Sequence, residues 1–336
     1  MHRITIARST LLGSLVVCCM LAASPLRVEG VALFESHPFE SWKVVGGAAS
    51  FSLDIATADG PTLLGHGPIA RNGFLVSQKS YANFTLEVGV KIGTEMNSGI
   101  QIRSRVDANT VKGLQIEIDP SDRKWAGGVY DEGGRGWLAS LKDKPEAQAA
   151  FKVDAWNQFR IECDGPLVRT WVNGVPCAAW LETTALTGVL AFQVHSGPKC
   201  EVRWRNPRMT ERGWHQWRAI EVAEVSKSST ERTITLPKDA EGFAIDATGA
   251  FSVSLCSAAG KVVTCFEADL SACEGERAQA VGELRVVWNG ADGRVQCGEK
   301  SLAFTILKDQ PITLVHIRNT ESTAIKSMSA LTRGQW

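Results

Sequence analysis

The chain has 336 residues, enough for two domains of ordinary size, and its 44% hydrophobic and 21% charged residues exclude a disordered polymer. Thirty-six Lys and Arg balance thirty-six Asp and Glu, so no bulk charge draws it to nucleic acid or to an anionic membrane. Eleven Trp against two Tyr is a skewed aromatic set. Most of these rings suit a core, and one or two in loops would suit stacking on a sugar.

In chain order, His2, Arg3 and Arg8 precede an apolar run from Leu11 to Leu21 and then small residues Ala22, Ala23 and Ser24. These are the three parts of a secretory signal, so residues 1–24 are expected to be a leader and the protein to be exported, periplasmic or extracellular. The apolar run is too short to span a bilayer, which needs roughly twenty residues. Cys18 leaves a lipid anchor open, although Leu15-Val16-Val17 before it fits that signal poorly.

Residues 30–212 read as one β domain. Short alternating runs at 84–92, 98–105, 114–118, 157–163, 168–172, 189–195 and 201–204 are broken by Gly, Asn, Asp and Pro, which argues for a sandwich or jelly roll. Asn173-Gly174 between two such runs is a type I′ hairpin signal. A single short helix is expected at 145–151, opened by Pro145. Residues 213–232 read as a strand and linker. A second, smaller β domain of no recognised family follows at 233–320, with hairpins across 257–260 and 289–293, and 321–336 read as a tail. This second domain, or a lipid anchor, is where a protein or membrane partner would attach; no other segment is apolar enough to cross a membrane. Without the leader seven cysteines remain, an odd number, and no C-x-x-C pair supports a structural zinc site.

Strand alternation puts residues i and i+2 on one face. Ile100 and Ile102 oppose Gln101, Arg103 and Arg105. Leu114, Ile116 and Ile118 oppose Gln115, Glu117 and Asp119. Leu190, Phe192 and Val194 oppose Gln193 and His195. An antiparallel sheet with one wet face would also alternate. Gln, Arg, Glu, Asp and His without Lys are groups for directed hydrogen bonds, and favour a concave polar site.

The segments NSGIQIRSR (97–105), LQIEIDP (114–120), GGVYDEGGRGWLA (127–139), AWNQFRIECDG (155–165), RTWVNG (169–174) and FQVHSG with VRWRNPRM (192–209) resemble the 3-keto-disaccharide hydrolase domain family. SWKVVGG (41–47) and GFLVSQKSYANFTLEV (73–88) are similar to its opening, so the resemblance covers about residues 34–211. It implies an all-β, concanavalin-like jelly-roll sandwich. It also implies a hydrolase or lyase for a carbohydrate substrate, a glycoside oxidised at C3.

A 3-keto sugar has an acidic proton at C2, so its cleavage needs a base, donors for the enolate oxygen and an acid for the leaving oxygen. Glu117 or His195 is expected as base, Arg103 with Gln101 or Gln193 as enolate clamp, and Asp119 or the second member of the pair as acid. Asn97, Gln115, Tyr130 and Trp137 are expected to contact substrate, the last two with Trp125 on a glycine-rich lid spanning 121–151. Two other readings stay open. Glu117 and Asp119 stand roughly 6.6 Å apart by strand rise, within reach of a two-carboxylate glycosidase. EIDPSD also resembles the E-x-D-x-x-E motif of jelly-roll β-glucanases, with Asp in the last place. A non-catalytic carbohydrate-binding jelly roll is the remaining alternative. The sequence specifies no cofactor and leaves a divalent cation open, which would take Glu117, Asp119 and His195 as ligands if the three converge. His37, His66, His215 and His316 are isolated and read as structural.

Overall fold

A computed structural model describes residues 30–34, 39–54, 61–199, 201–220, 231–248, 250–269, 283–297, 300–306, 311–319 and 324–334. The expected leader, with Cys18 and Cys19, lies outside the described residues, as do His37, Cys200 and Cys273. Among the described residues strands dominate, the one helix is Pro145–Ala150 with Pro in its first turn, and the strands form four antiparallel sheets.

Two sheets make the sandwich. One runs in the order Val175–Leu181, Leu167–Val172, Asn157–Asp164, Phe84–Ile92, Glu201–Glu211, Thr62–His66, Ser50–Asp54, with Val31–Ala32 pairing on Glu201–Glu211. The other runs Gly136–Ala139, Val129–Glu132, Thr110–Ile118, Ser98–Asp107, Gly188–Val194, Gly73–Tyr81, Trp42–Gly46. Between them lies one core, in which Val88, Val90, Phe159 and Ile161 of the first sheet meet Ile100, Leu114, Ile116 and Phe192 of the second. Phe34, Trp42, Phe192 and Trp204 chain through it with ring centroids 5.0 to 5.9 Å apart. Each such ring withdraws 150–250 Å² from water, of order 2–3 kcal/mol. The Asn173-Gly174 turn forms as its sequence requires: both residues take positive φ, 51° and 80°, and Val172 pairs with Val175.

The C-terminal residues form a six-stranded sheet, His215–Ala219, Ala324–Arg333, Ala240–Thr248, Glu283–Asn289, Asp292–Cys297, Lys300–Thr305. A four-stranded sheet, Glu231–Thr235, Ile312–Asn319, Ala250–Ser257, Val262–Asp269, packs with it around a second core that includes Phe243, Val253, Val286 and Val315. Both expected hairpins are present. One expectation is corrected: the segment read as a tail carries the strand Ala324–Arg333, which pairs on both sides and buries Met328, Ala330, Leu331 and Thr332. The strand read within 213–232 is His215–Ala219, paired to that same segment. A strand with one neighbour supplied from far along the chain shows no local hairpin signal.

Cys163, Cys177, Cys256 and Cys265 are free thiols. Among the described residues, no helix is long and apolar enough to cross a membrane.

Candidate active site

Register fixes which polar residues meet. Gly99 pairs with Glu117, Gln101 with Gln115, Gln115 with Tyr130, Tyr130 with Trp137, and Gln193 with Gly99. Directly paired residues share a face, so Gln101, Gln115, Glu117, Tyr130, Trp137 and Gln193 stand together on the side away from the core. His195 follows in the alternation of Gln193. This face is not a wet surface: Gln101 is 0%, Gln193 1%, and Gln115 and Glu117 each 3% exposed. The tip of the Ser98–Asp107/Thr110–Ile118 hairpin helps to cover it. There Val111 joins Phe74, Val76, Val45 and Ala191 in a small apolar cluster, and Asn109 accepts from the Gly46 amide at 3.1 Å.

A hydrogen-bonded row holds Glu117. Ser104 Oγ donates to Gln101 Oε1 (2.7 Å), Gln101 Nε2 to Gln115 Oε1 (2.7 Å), and Gln115 Nε2 to Glu117 Oε2 (3.0 Å). Asn97 Nδ2 donates to the other carboxylate oxygen, Oε1, at 3.1 Å. Gly99 makes room for the row, since a Cβ there would stand 2.3 Å from Gln115 Cδ. Burial raises the Glu117 carboxyl to about 7, aided by the negative charges of Asp119 and Glu132 and opposed by the Gln115 hydrogen bond and Arg123. Its proton therefore comes and goes near neutral pH, as general acid–base work requires.

Beside Glu117 stands a feature that alternation did not reveal. Arg123 places Nη2 3.9 Å from Glu117 Oε1 and its guanidinium 5.1 Å from the ring centres of both Trp125 and Trp137. Trp137 meets Trp125 edge-on at 4.7 Å and Tyr130 at 5.3 Å. Arg123 lies in a turn, where no periodicity marks its direction; its only local signal is a cation two residues before Trp125. The expected lid is also different: Tyr130 and Trp137 sit on the strands Val129–Glu132 and Gly136–Ala139, a hairpin that extends the sheet. Glu132, also unforeseen, is raised by burial and lowered by His195, so these two share the field of this face. His195 Nδ1 lies 2.9 Å from the Ser196 carbonyl. The Gln193 amide, both atoms buried, and Asn97 Oδ1 make no hydrogen bond within the protein.

Two expected catalytic residues are elsewhere engaged. Arg103 takes φ 46° at a break in register between Ile102 and Arg105, and leaves the row. It donates to the Ala82 carbonyl (2.7 Å), the Gly165 carbonyl (2.6 Å) and Asn83 Oδ1 (3.2 Å), pinning two turns, so neither the enolate clamp nor an ion pair with Glu117 forms. Asp119 accepts from Ser121 N and Oγ, Arg123 Nε and Trp125 N. Despite its burial those donors hold it below the ordinary carboxylate range, wrong for an acid. With its oxygens so occupied, the Glu117, Asp119 and His195 set does not fit a cation, and the described residues hold no His, Cys, Asp and Glu cluster that would. His215 is structural: its Nδ1 lies 2.9 Å from Asn83 Nδ2 and its Nε2 3.2 Å from Glu241.

The protein is thus an antiparallel β-sandwich with a buried polar outer face and an aromatic wall beside it. Residues 29–210 match the 3-keto-alpha-glucoside-1,2-lyase-like domain, and the chain belongs to that family. The chain is similar in structure to carbohydrate binding module CBM66 from Bacillus subtilis, at 15% identity and TM-score 0.38, over 51% of this chain and 96% of that one. It is also similar to a putative glycosyl hydrolase from Parabacteroides distasonis, at 17% identity and TM-score 0.37, over 51% of this chain and 99% of that one. No curated protein matches the chain.

Proposed function

We propose that this protein cleaves 3-keto-glycosides outside the cytoplasm, with Glu117 as the base. The observation that carries this reading is a single buried carboxylate, bonded at both oxygens by amides and shifted to about 7 by burial, beside an aromatic wall.

The C3 carbonyl acidifies C2–H. Glu117 takes that proton, and its electron pair forms the C2=C3 enolate. Arg123 and the Gln193 amide stabilise the enolate oxygen. The enolate re-forms the carbonyl as the C1–O bond breaks, and His195 gives a proton to the departing oxygen. Water then adds across C1=C2, so that elimination and hydration together amount to hydrolysis. Tyr130 and Trp137 hold the sugar ring. Export is part of this proposal, because the leader-like residues 1–24 carry it; fractionation of the producing cells tests it.

The test is product release from 3-keto-trehalose and, in parallel, from trehalose. Cleavage of the keto sugar alone is expected, with kcat rising through a pH near 7 as Glu117 ionises. Glu117→Gln should lose roughly 10²- to 10⁴-fold in kcat with its circular dichroism unchanged. Retained turnover in that variant sinks the role of Glu117. Cleavage of trehalose would favour a glycosidase, and binding without cleavage a carbohydrate-binding module.

A further inference from the structure

We propose that Glu182 and Arg135 are positioning residues for the Tyr130–Trp137 wall, and that the C-terminal sheets hold them in place. The second β region is then a working part of the sugar site. This rests on the reading of the polar face around Glu117 as that site.

The wall stands on a weak support. Gly136–Ala139 is a four-residue strand at the edge of its sheet, paired only to Val129–Glu132. Such an edge strand has one ladder of hydrogen bonds and frays readily. What fixes it is the turn. Arg135, between the two strands, binds Asp131 through Nε and Glu182 Oε2 through Nη2, the latter at 2.8 Å.

Glu182 is wholly buried and fully bonded. Its Oε2 also accepts from Trp180 Nε1 (3.1 Å), and its Oε1 from Thr184 N (2.7 Å), Thr184 Oγ1 and Ala185 N. Arg135 and these bonds overcome its burial and hold the carboxyl below its ordinary range, so it stays charged. A buried charge in this condition is a fixed point, because moving it would leave it unpaired.

That fixed point is set from the C-terminal side. Arg294 stacks over Trp180 with its guanidinium 3.6 Å from the ring centre, and the Glu182 charge acts on it. Glu182 is therefore flanked by one guanidinium from each β region. Arg285 Nη1 donates to the Thr183 carbonyl at 3.3 Å, and Thr183 Oγ1 donates to Gln296 Oε1. Leu181 and Leu186 bury against Val287 and Leu331. The path from the second core to the aromatic wall is thus continuous and made of charge-assisted or buried contacts.

The experiment combines hydrogen exchange over residues 129–139 with KM and kcat on 3-keto-trehalose, all on the full chain. Arg135→Met and Arg294→Met should speed exchange in that hairpin. They should raise KM by about two- to fivefold while kcat stays within about twofold, the pattern of lost ring binding rather than lost chemistry. Arg135→Lys, which keeps the charge, should recover part of both. Hairpin exchange and KM equal to wild type, with only the melting temperature lowered, would overturn the proposal. If the wild-type chain leaves 3-keto-trehalose intact, the exchange data still decide whether the clamp exists, and the failure belongs to the reaction instead.

Discussion

Ile100, Leu114, Ile116 and Phe192 lie on the inner face of three neighbouring strands; Gln101, Gln115, Glu117 and Gln193 lie on the outer face of the same strands. All eight are 3% exposed or less, so burial does not distinguish the two faces. Direction does. The inner side chains attract each other without preferred orientation, and swaps of similar volume are tolerated there. Of the outer ones, Gln101, Gln115 and Glu117 are bonded in a defined order that starts at Ser104, and each broken bond leaves a buried polar atom alone. The inner face holds the sandwich together, and the outer face keeps one carboxylate near neutrality within it.

This contrast can be broken at either face. Phe192→Ala removes the ring that touches Phe34, Trp42 and Trp204 and should cost about 3–5 kcal/mol of stability in denaturant unfolding. Turnover per folded molecule should barely change; a large loss would mean that the core also shapes the site.

Glu117→Gln should act in the opposite sense on stability. Folded Glu117 keeps its proton to about pH 7, whereas its ordinary value is 4.5. The stability this group adds is complete below 4.5 and is lost as pH rises through 7. A neutral Gln has no such loss, so relative to wild type the variant should gain up to roughly 3 kcal/mol between pH 4.5 and 8. Parallel stability curves for the two proteins would refute the burial argument.

Arg103→Met should cost about 2 kcal/mol, since it removes the donors to Ala82, Gly165 and Asn83, and should leave KM unchanged. A raised KM would return Arg103 to the site. Smallest is Trp137→Ala, which removes a ring stacked with Trp125, Tyr130 and Arg123. It should weaken binding of 3-keto-trehalose by about 1 kcal/mol, read by fluorescence titration.

Alternation alone put Gln101, Gln115, Glu117 and Gln193 on one face, because a pleated strand gives its side chains no other choice. Turn chemistry likewise determined the Asn173-Gly174 hairpin, and ordered motifs over some 180 residues determined the family. Arg103 and Asp119 belong to the same alternating strands, yet the structure bonds both side chains outside the row. A register break turned the first away from the row, and turn donors Ser121 and Trp125 with the Arg123 guanidinium claimed the second. Arg123 beside Glu117, the pairing of His215–Ala219 with Ala324–Arg333 across more than a hundred residues, and the seating of Glu182 between Arg135 and Arg294 were decided only by tertiary structure. Periodicity is a property of one strand; which charges meet depends on how distant strands and turns pack, and no local pattern encodes that.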